Sequence, residues 1–304
     1  MCTGVLLQQP GNWTGRRRVC YPCAPTAFAV IPSCKGFAEH KETILATSNK
    51  PVALITGASS GIGAATARAF ARDGVNIVAV SRTEKTLQAL ADELKGKAEV
   101  AILATDVTAK DAPEKAVALA MSRFGRLDYL INNAGMGKPK PVDETTDEIL
   151  DEYLNILLRA PFRFCREALK VMKPGSSIVA VSSTFALVGG LRGGAYSAAK
   201  AGMLGLMTHM AAQYGRGGIR SNAVAPGVVK TEMVAYAWDT EKFNRMNDEM
   251  TPSNRKGTAD DVAEAIVFLC SERAGFINGQ VLAVDGGWSS TKYLVPEAVE
   301  AKRV

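Results

Sequence analysis

The sequence predicts an α/β fold in which a doubly wound, parallel β-sheet carries helices on both faces. From residue 51 onward, short apolar runs alternate with longer amphipathic runs, which is the pattern of strands separated by crossover helices. A glycine-rich turn directly follows the first apolar run and opens the first amphipathic one. Because ligands of such sheets bind beyond the carboxyl ends of the strands, functional residues are expected in the turns that follow them.

The short apolar runs are predicted to be buried strands at residues 52–55, 75–80, 100–104, 127–131, 178–181, 219–225 and 280–284. The longer runs place apolar residues at helical spacing and are predicted to be helices at 62–72, 84–94, 112–124, 147–172, 195–214 and 259–270. The helix over 147–172 is expected to break or bend near Pro161, because proline lacks the N–H that a helix interior needs.

Length and composition indicate a globular protein with a large core. The chain has 304 residues, of which 47% are hydrophobic. No apolar run reaches about 18 residues, so no membrane span is predicted. Residues 1–48 carry five basic and two acidic side chains, and the rest of the chain carries 31 and 28. This near balance is an ordinary surface rather than a nucleic-acid footprint, so no nucleic-acid partner is expected.

The six cysteines indicate neither a disulfide framework nor a metal site. Cys20 and Cys23 form a lone C-x-x-C pair, without the second pair or the spaced histidines that a zinc site needs. Cys165 and Cys270 fall in helical apolar patterns and are predicted to be buried. This usage is typical of a reducing compartment, so a cytoplasmic location is expected.

Residues 1–48 are predicted to lie outside the folded domain. They contain four prolines, no acidic residue before Glu39 and no sustained periodicity. This composition favours a disordered tail or a start site assigned too far upstream. An organelle-targeting segment is the alternative, because the stretch is poor in acids and contains arginines. The folded domain is predicted at 49–289, followed by a C-terminal tail at 290–304.

The stretch from residue 182 to 200 carries the strongest chemical signal. Tyr196 and Lys200 are four residues apart among good helix formers, a spacing that places both side chains on one helix face. A nearby ammonium favours the phenolate and is expected to lower the tyrosine pKa toward the range of efficient proton transfer. Ser183 follows a predicted strand, from whose end its hydroxyl can reach that helix. Taken alone, the pair is equally compatible with a solvated helix.

The turn T-G-A-S-S-G-I-G at residues 56–63 predicts a phosphate site. Gly57 permits a tight turn, Gly61 lets the backbone approach a pyrophosphate, and Gly63 lets the helix pack close to the strand. Glycines alone would indicate only a flexible loop. Their position between a strand and a helix favours phosphate binding.

Together these motifs resemble the classical short-chain dehydrogenase/reductase family over about residues 50–289. Besides the glycine turn and the serine, tyrosine and lysine at family spacing, the chain has Asn132-Asn133-Ala134-Gly135 after the fourth strand. It also has Pro226-Gly227 followed by Thr231, and Asp285-Gly286-Gly287 near the end. The resemblance implies a Rossmann-type sheet, a nicotinamide cofactor and oxidoreductase activity on an alcohol or carbonyl group.

By this resemblance, Tyr196 is the general acid or base, Ser183 binds the substrate oxygen, and Lys200 binds the nicotinamide ribose and lowers the tyrosine pKa. Asp106 would touch the adenine edge and Thr231 would hold the carboxamide, although either could instead only cap a helix. The cofactor-binding residues that the family implies are Gly57, Ser59, Ser60, Gly61, Ile62, Gly63, Ser81, Arg82, Asp106, Val107, Asn133, Ala134, Gly135, Tyr196, Lys200, Pro226, Gly227, Val229 and Thr231.

One position departs from the family. The catalytic asparagine usually lies four residues before the proline of the middle helix, where this chain has Leu157. Leucine cannot hold the water that extends the proton relay from the lysine. Three alternatives stay open: a backbone carbonyl holds that water unaided, a local bend lets Asn155 substitute, or the chemistry is impaired.

The end of the second predicted strand favours NADP(H) over NAD(H). An acidic residue there would accept the ribose 2′-hydroxyl of NAD and repel a 2′-phosphate, whereas this chain has Ser81 and Arg82. A hydroxyl and a guanidinium suit a phosphate monoester. Arg82 is also compatible with a plain surface position before the next helix, which Thr83 is predicted to cap.

The substrate is expected to be a largely apolar ketone or secondary alcohol. The candidate pocket residues are mostly apolar and lie partly in a predicted substrate loop at 231–257: Met136, Phe185, Leu187, Val188, Leu191, Met233, Tyr236 and Trp238. Lys138 and Lys140 could attract an acidic substrate or carrier, or only solvate a loop. A homo-oligomer, tetramer or dimer, is expected, with the apolar segment 203–207 as a candidate interface.

The leading hypothesis is therefore an NADPH-dependent carbonyl reductase or alcohol dehydrogenase. One alternative is a dinucleotide-binding sensor or scaffold that no longer catalyses, and Leu157 is the feature that favours it. The other is an NAD-linked alcohol dehydrogenase of the same family.

Overall fold

The structure is a computed structural model that describes residues 49–190 and 192–291. Within these residues seven strands form one parallel sheet of order β3-β2-β1-β4-β5-β6-β7. In chain order the strands are β1 Val52–Thr56, β2 Asn76–Ser81, β3 Val100–Ala104, β4 Tyr129–Asn132, β5 Ser177–Val181, β6 Arg220–Pro226 and β7 Val281–Val284. The predictions for residues 1–48, and for the tail from 292 on, lie outside the described residues.

Helices connect the strands and cover both faces of the sheet. They are α1 Gly61–Arg72, α2 Glu84–Leu94, α3 Ala112–Phe124, α4 Asp147–Leu154, α5 Ala160–Ala168, α6 Gly194–Tyr214, α7 Ala235–Trp238, α8 Glu241–Met250 and α9 Ala259–Cys270. The predicted doubly wound α/β class is confirmed. None of the helices in the described part of the chain is long and apolar enough to cross a membrane.

Two apolar layers sandwich the sheet, and the strands alternate between them. Helices α1, α2 and α9 pack on one face, and α3, α5 and α6 pack on the other. Along β1, Ala53 and Ile55 face the first layer while Val52 and Leu54 face the second. Strands buried on both faces need apolar side chains at every position, which is why they appear in the sequence as continuous apolar runs.

The helix predicted over 147–172 is interrupted just before Pro161, as expected. α4 gives way to a turn of π-helix at Asn155–Arg159, after which α5 begins. Pro161 cannot donate to the carbonyl oxygen of Leu157, four residues earlier, and in a regular α-helix its ring would collide with that carbonyl. A wider turn just before the proline relieves the collision. The predicted end at residue 172 is wrong, because α5 ends at Ala168.

The segment 231–257, predicted as a substrate loop, is largely helical. A 3₁₀ turn at Glu232–Val234 leads into the short helix α7 and then α8. Thr240 caps α8 with its side-chain oxygen. Phe243, Met246 and Met250 stand at helical spacing in α8, but the segment was interpreted only by its resemblance to the family's substrate loop.

Candidate active site

The predicted site residues lie at the carboxyl edge of the sheet. The strand order reverses between β1 and β4, so the turns that follow these neighbouring strands leave in opposite directions and open a crevice. The glycine turn follows β1, Asn133 follows β4, and Ser183 follows β5. Residues more than 120 positions apart in the sequence thereby come together.

The glycine turn can be built only with glycine at its key positions. Gly57 and Gly61 have φ angles of +67° and +51°, in the left-handed region that side chains disfavour. A Cβ on Gly63 would lie 2.1 Å from the carbonyl oxygen of Gly57. The turn leads into the N-terminus of α1, whose free N–H groups favour an anion. The other predicted members of this turn are partly exposed: Ser59, Ser60 and Ile62.

Thr56 and Asn133 clamp the glycine turn, a role that the sequence analysis did not assign. Thr56 Oγ1 accepts hydrogen bonds from the N–H groups of Asn133 at 3.0 Å and Ala134 at 3.1 Å. The side-chain amide of Asn133 donates to the carbonyl oxygens of Thr56 at 2.9 Å and Gly57 at 3.1 Å. Asn133 therefore lies at the cleft, but its amide nitrogen holds the ends of β1 and β4 together. The available signal was the threonine directly before the first glycine.

Ser183, Tyr196 and Lys200 converge at the end of β5. Ser183 is 7% exposed, and Tyr196 stands in the first turn of α6. Lys200 Nζ lies 5.8 Å from the centre of the Tyr196 ring and donates a 2.6 Å hydrogen bond to the carbonyl oxygen of Val181. Ser182, which the sequence analysis passed over, ties this strand end to α6 by donating to the carbonyl oxygen of Lys200 at 2.9 Å.

Burial, not the lysine, dominates the pKa of the tyrosine. Desolvation raises the Tyr196 pKa above its ordinary value, and hydrogen bonding to Ser183 opposes this rise. The expectation that Lys200 lowers this pKa is therefore wrong for the chain by itself, because the ammonium is directed to the Val181 carbonyl. Burial lowers the pKa of Lys200 itself to about 8. At neutral pH the phenol is protonated, which suits a group that donates a proton.

Leu157 occupies the position beside the lysine. The residue is 1% exposed, and its Cδ2 lies 3.4 Å from the point where a Cβ on Gly135 would stand, with Lys200 Nζ 3.9 Å from the same point. The leucine and the ammonium thus flank the same glycine. Asn155 begins the π turn and is partly exposed. It is therefore Leu157 that this turn brings beside Lys200.

The end of β2 holds an unpaired polar atom. Ser81 is 8% exposed, and its Oγ has no hydrogen-bond partner among the residues that the structure describes. Arg82 is exposed next to it. Hydrogen bonds from Thr108 lower the pKa of Asp106, and the charge of Arg82 adds to this effect. The ends of β2 and β3 therefore place a hydroxyl, a guanidinium and a carboxylate in one region.

Neither Asp106 nor Thr231 caps a helix with its side chain. Asp106 Oδ1 accepts from the N–H and hydroxyl of Thr108, at 2.8 and 2.7 Å, and closes a local turn before α3. Thr231 precedes its 3₁₀ turn without a capping bond, and its Cγ2 lies 3.2 Å from the Cβ position of Gly61. The remaining predicted cofactor residues follow strand ends on the same edge: Val107 after β3, Ala134 and Gly135 after β4, and Pro226, Gly227 and Val229 at or after β6.

Several predicted pocket residues lie next to the catalytic candidates. Met136 packs in the apolar cluster that includes Tyr196. Phe185 donates its backbone N–H to Ser183 Oγ at 3.2 Å, and its ring meets Trp288 edge-on with centroids 5.4 Å apart. Trp288 was missed by the sequence analysis, because nothing in a lone tryptophan near the end of a chain indicates which strand turn it reaches.

Other predicted pocket residues have different surroundings. Met233 packs against Gly137, with its Sδ 2.8 Å from the Cβ position of that glycine. Trp238 is 8% exposed and packs on Phe243 with ring centroids 5.9 Å apart, so it anchors its own segment. Leu187 is exposed and Val188 partly so. Leu191 and the side chain of Tyr236 lie outside what the structure describes.

The residues present fit a nicotinamide dinucleotide. The glycine turn packs too closely for side chains at Gly57 and Gly63, and it leads into the N-terminus of α1, where N–H groups suit a pyrophosphate. The orphaned Ser81 hydroxyl and Arg82 stand at the end of β2, where the adenosine ribose of such a cofactor is held. Lys200 and Tyr196 stand at the far end of the same crevice.

Comparisons with known proteins agree with this geometry. The family profile described as enoyl-(acyl carrier protein) reductase matches residues 57–289. The chain is 40% identical over 245 residues to the A-factor type γ-butyrolactone 1′-reductase (1S-forming) of Streptomyces virginiae, covering 78% of this chain and 95% of that protein. It is 37% identical over 253 residues to levodione reductase of Leifsonia aquatica, covering 79% and 94%.

A solved structure shows the same fold. The short-chain dehydrogenase of Burkholderia cenocepacia J2315, crystallised in complex with NADP, superposes with a TM-score of 0.74 at 30% sequence identity. The match covers 79% of this chain and 98% of that one. With the family profile, the relatives and the fold in agreement, this chain belongs to the classical short-chain dehydrogenase/reductase family of nicotinamide-dependent oxidoreductases.

Proposed function

We propose that this protein is an NADPH-dependent reductase that converts a largely apolar ketone to a secondary alcohol, or catalyses the reverse oxidation. The observation that carries the proposal is the convergence of Ser183, protonated Tyr196 and buried Lys200 at the mouth of a dinucleotide crevice. Both relatives described above are named as reductases, which supports the reductive direction.

The chain's own groups supply the proton and the orientation. The bound nicotinamide would supply the hydride to the carbonyl carbon. Ser183 would donate a hydrogen bond to the substrate oxygen, and Tyr196 would transfer its hydroxyl proton to that oxygen. Because burial keeps the phenol protonated, reduction is expected to slow once the pH rises above the Tyr196 pKa. Lys200 would bind the ribose next to the nicotinamide.

The preference for NADP(H) is supported by the end of β2. A 2′-phosphate there would give the buried Ser81 hydroxyl a partner and pair with the Arg82 guanidinium. No acidic residue stands at either position to repel it. The structure of the Burkholderia relative in complex with NADP is consistent with this preference.

A second candidate is a dinucleotide-binding protein without turnover, and Leu157 favours it. Its buried side chain fills the place beside Lys200 where the family has an asparagine, and it offers no hydrogen bond to a relay water. Against it stand the three catalytic candidates, which are all present and close together.

We further propose that the chain assembles as a homo-oligomer in the cytoplasm. Within the segment 203–207, Met203 and Met207 are buried core residues, so only the three residues between them are available to a partner. The exposed positions of α6 carry no Asp, Glu, Lys or Arg. An uncharged outer face on a helix of 21 residues is suited to packing against a second copy.

The test is oxidation of NADPH, followed by its absorbance, against a panel of apolar ketones and β-ketoacyl thioesters. Tyr196→Phe is expected to lower kcat by about 10²- to 10⁴-fold, because the general acid is removed. Tyr129→Phe is the matched control, since this tyrosine stacks on Phe70 in the other apolar layer and is expected to leave kcat unchanged.

The same assay decides the cofactor. Arg82→Ala is expected to raise the KM for NADPH by about tenfold or more and to leave the KM for NADH unchanged, because it removes a charge-assisted bond to the 2′-phosphate alone. Equal effects on both cofactors would overturn the preference. Tight NADPH binding without turnover of any compound would favour the second candidate and make Leu157→Asn the next variant.

A further inference from the structure

A second tyrosine lies behind the catalytic candidate. Tyr153 stands in the last turn of α4, is 2% exposed and packs in a small apolar cluster with Leu157, Ala195 and Ala199. Two of these partners belong to the same α6 helix turns that carry Tyr196 and Lys200. Among the described members of this cluster, the only side-chain oxygens are the two phenols of Tyr153 and Tyr196.

Tyr153 contacts two parts of the cleft at once. Its ring meets the Tyr196 ring edge-to-face, with centroids 6.3 Å apart and an interplanar angle of 87°. Its hydroxyl accepts a 2.8 Å hydrogen bond from the backbone N–H of Lys138. That N–H belongs to the loop at 135–140, which leaves β4 beside Gly135 and passes in front of α6.

The loop at 135–140 is also in contact with the start of α6 and with the segment after β6. The N–H of Gly193 donates to the carbonyl oxygen of Lys140 at 2.8 Å. Gly137 lies against Met233, whose Sδ is 2.8 Å from the position that a Cβ on this glycine would take. A shift of this loop would therefore disturb its contacts with the start of α6 and with Met233. The Tyr153 hydroxyl is a buried contact that fixes the middle of the loop.

We propose that Tyr153 is a positioning residue for the reaction of this site: its ring holds the Tyr196 phenol in place, and its hydroxyl fixes the substrate-facing loop at 135–140. The inference rests on the proposed function for its effect on turnover. Its structural content does not depend on which carbonyl is reduced. Tyr153 lies four residues before Leu157, so its hydroxyl is a polar group close to the position where the family has its asparagine.

The Tyr153→Phe variant isolates the hydroxyl, because it keeps the ring and its edge-to-face contact. The N–H of Lys138 would lose its acceptor, so the amide of Lys138 is expected to exchange with solvent at least about tenfold faster. Tyr153 also contributes to the raised pKa of Tyr196. Its replacement is therefore expected to move the Tyr196 titration, and with it the alkaline limb of kcat, to lower pH.

The experiment compares wild type, Tyr153→Phe and the control Tyr129→Phe by three measurements. Amide exchange reports on Lys138. Tyrosinate absorbance, taken as the difference from Tyr196→Phe, reports the titration of Tyr196. Steady-state kinetics is expected to show a kcat about tenfold lower and a higher KM for the carbonyl in Tyr153→Phe, with an unchanged affinity for NADPH.

Faster exchange at Lys138 together with a lower Tyr196 titration, in Tyr153→Phe but not in Tyr129→Phe, would support the inference. Unchanged exchange and titration in Tyr153→Phe would overturn it, whatever the kinetics. The first two measurements need no substrate. A wild type that turns over no carbonyl would thus count against the proposed function and leave these two measurements to decide on Tyr153.

Discussion

At the scale of single residues, the buried ammonium of Lys200 lowers the stability of the folded protein. The side chain is 5% exposed and its one described hydrogen bond goes to the carbonyl oxygen of Val181. Among residues 49–190 and 192–291 no carboxylate forms an ion pair with it, and desolvation lowers its pKa to about 8. A charged group without a counter-ion is retained where its charge serves a ligand, which fits the proposed contact with the cofactor ribose.

This cost predicts a specific pH dependence of stability. The unfolded chain holds the lysine proton up to its ordinary pKa of 10.5, whereas the folded chain holds it only up to about 8. The free energy of unfolding therefore falls by about 3 kcal/mol, through this residue alone, as the pH falls from about 10.5 to about 8. Below about pH 8 this contribution no longer changes. Lys200→Met is expected to lose this dependence, because methionine does not titrate.

Urea unfolding of wild type and Lys200→Met at about pH 8 and about pH 10 measures the effect. The free energy of unfolding of wild type should rise relative to the variant on going to the higher pH. Lys200→Met also leaves the Val181 carbonyl without its hydrogen bond. This loss destabilises the variant equally at both pH values, so it does not affect the change in stability with pH. Parallel pH profiles for the two proteins would contradict the assignment.

At the scale of elements, the junction between β1 and α1 has no space for a side chain at Gly63. Gly63 lies in α1, where alanine would normally be the better helix former. Its Cβ would nevertheless stand 2.1 Å from the carbonyl oxygen of Gly57 and 2.6 Å from the side-chain nitrogen of Asn133. Tertiary packing therefore overrides helix propensity at this position.

Gly63→Ala is expected to lower the free energy of unfolding by at least about 2 kcal/mol and to weaken NADPH binding, because backbone must move to admit the methyl group. Gly217→Ala is the control, since Gly217 is exposed and nothing lies within 4 Å of its Cβ position. Thermal unfolding and cofactor titration of both variants check this. Equal stability of the two would show that the turn has more room than the structure gives it.

At the scale of the whole molecule, the uncharged outer face of α6 predicts association. Wild type is expected to sediment at a multiple of the 32.2 kDa chain mass. Gly205→Arg places a long cation on that face, where nothing lies within 4 Å of the Cβ position, so the single chain tolerates it and the assembly does not. Gly217→Arg, just beyond the end of the same helix, is the control.

Sedimentation of the three proteins distinguishes the outcomes. A monomer for Gly205→Arg beside an oligomer for wild type and Gly217→Arg would place α6 in the interface. An oligomer in all three would show that the interface lies on another surface. A monomeric wild type would contradict the proposed homo-oligomer.

The sequence by itself determined the fold class, the order of the seven strands and the identity of the catalytic candidates, whereas α7, α8 and the division between α4 and α5 were not predicted. Buried parallel strands must be apolar throughout, and the glycine turn at 56–63 requires its backbone angles, so both are visible in a linear pattern. The tyrosine and lysine pair is visible because four residues make one helical turn.

Only the tertiary structure decided the surroundings of these residues. The raised Tyr196 pKa depends on burial by segments remote in sequence, which outweighs the hydrogen bond with Ser183. The clamp between Thr56 and Asn133 joins the ends of β1 and β4 through two residues that are 77 positions apart in the sequence. The contact between Tyr153 and the loop at 135–140 joins a helix to a residue 15 positions earlier, and no periodicity predicts it. Local pattern reflects local geometry, whereas electrostatics and long-range contacts exist only once the chain has folded.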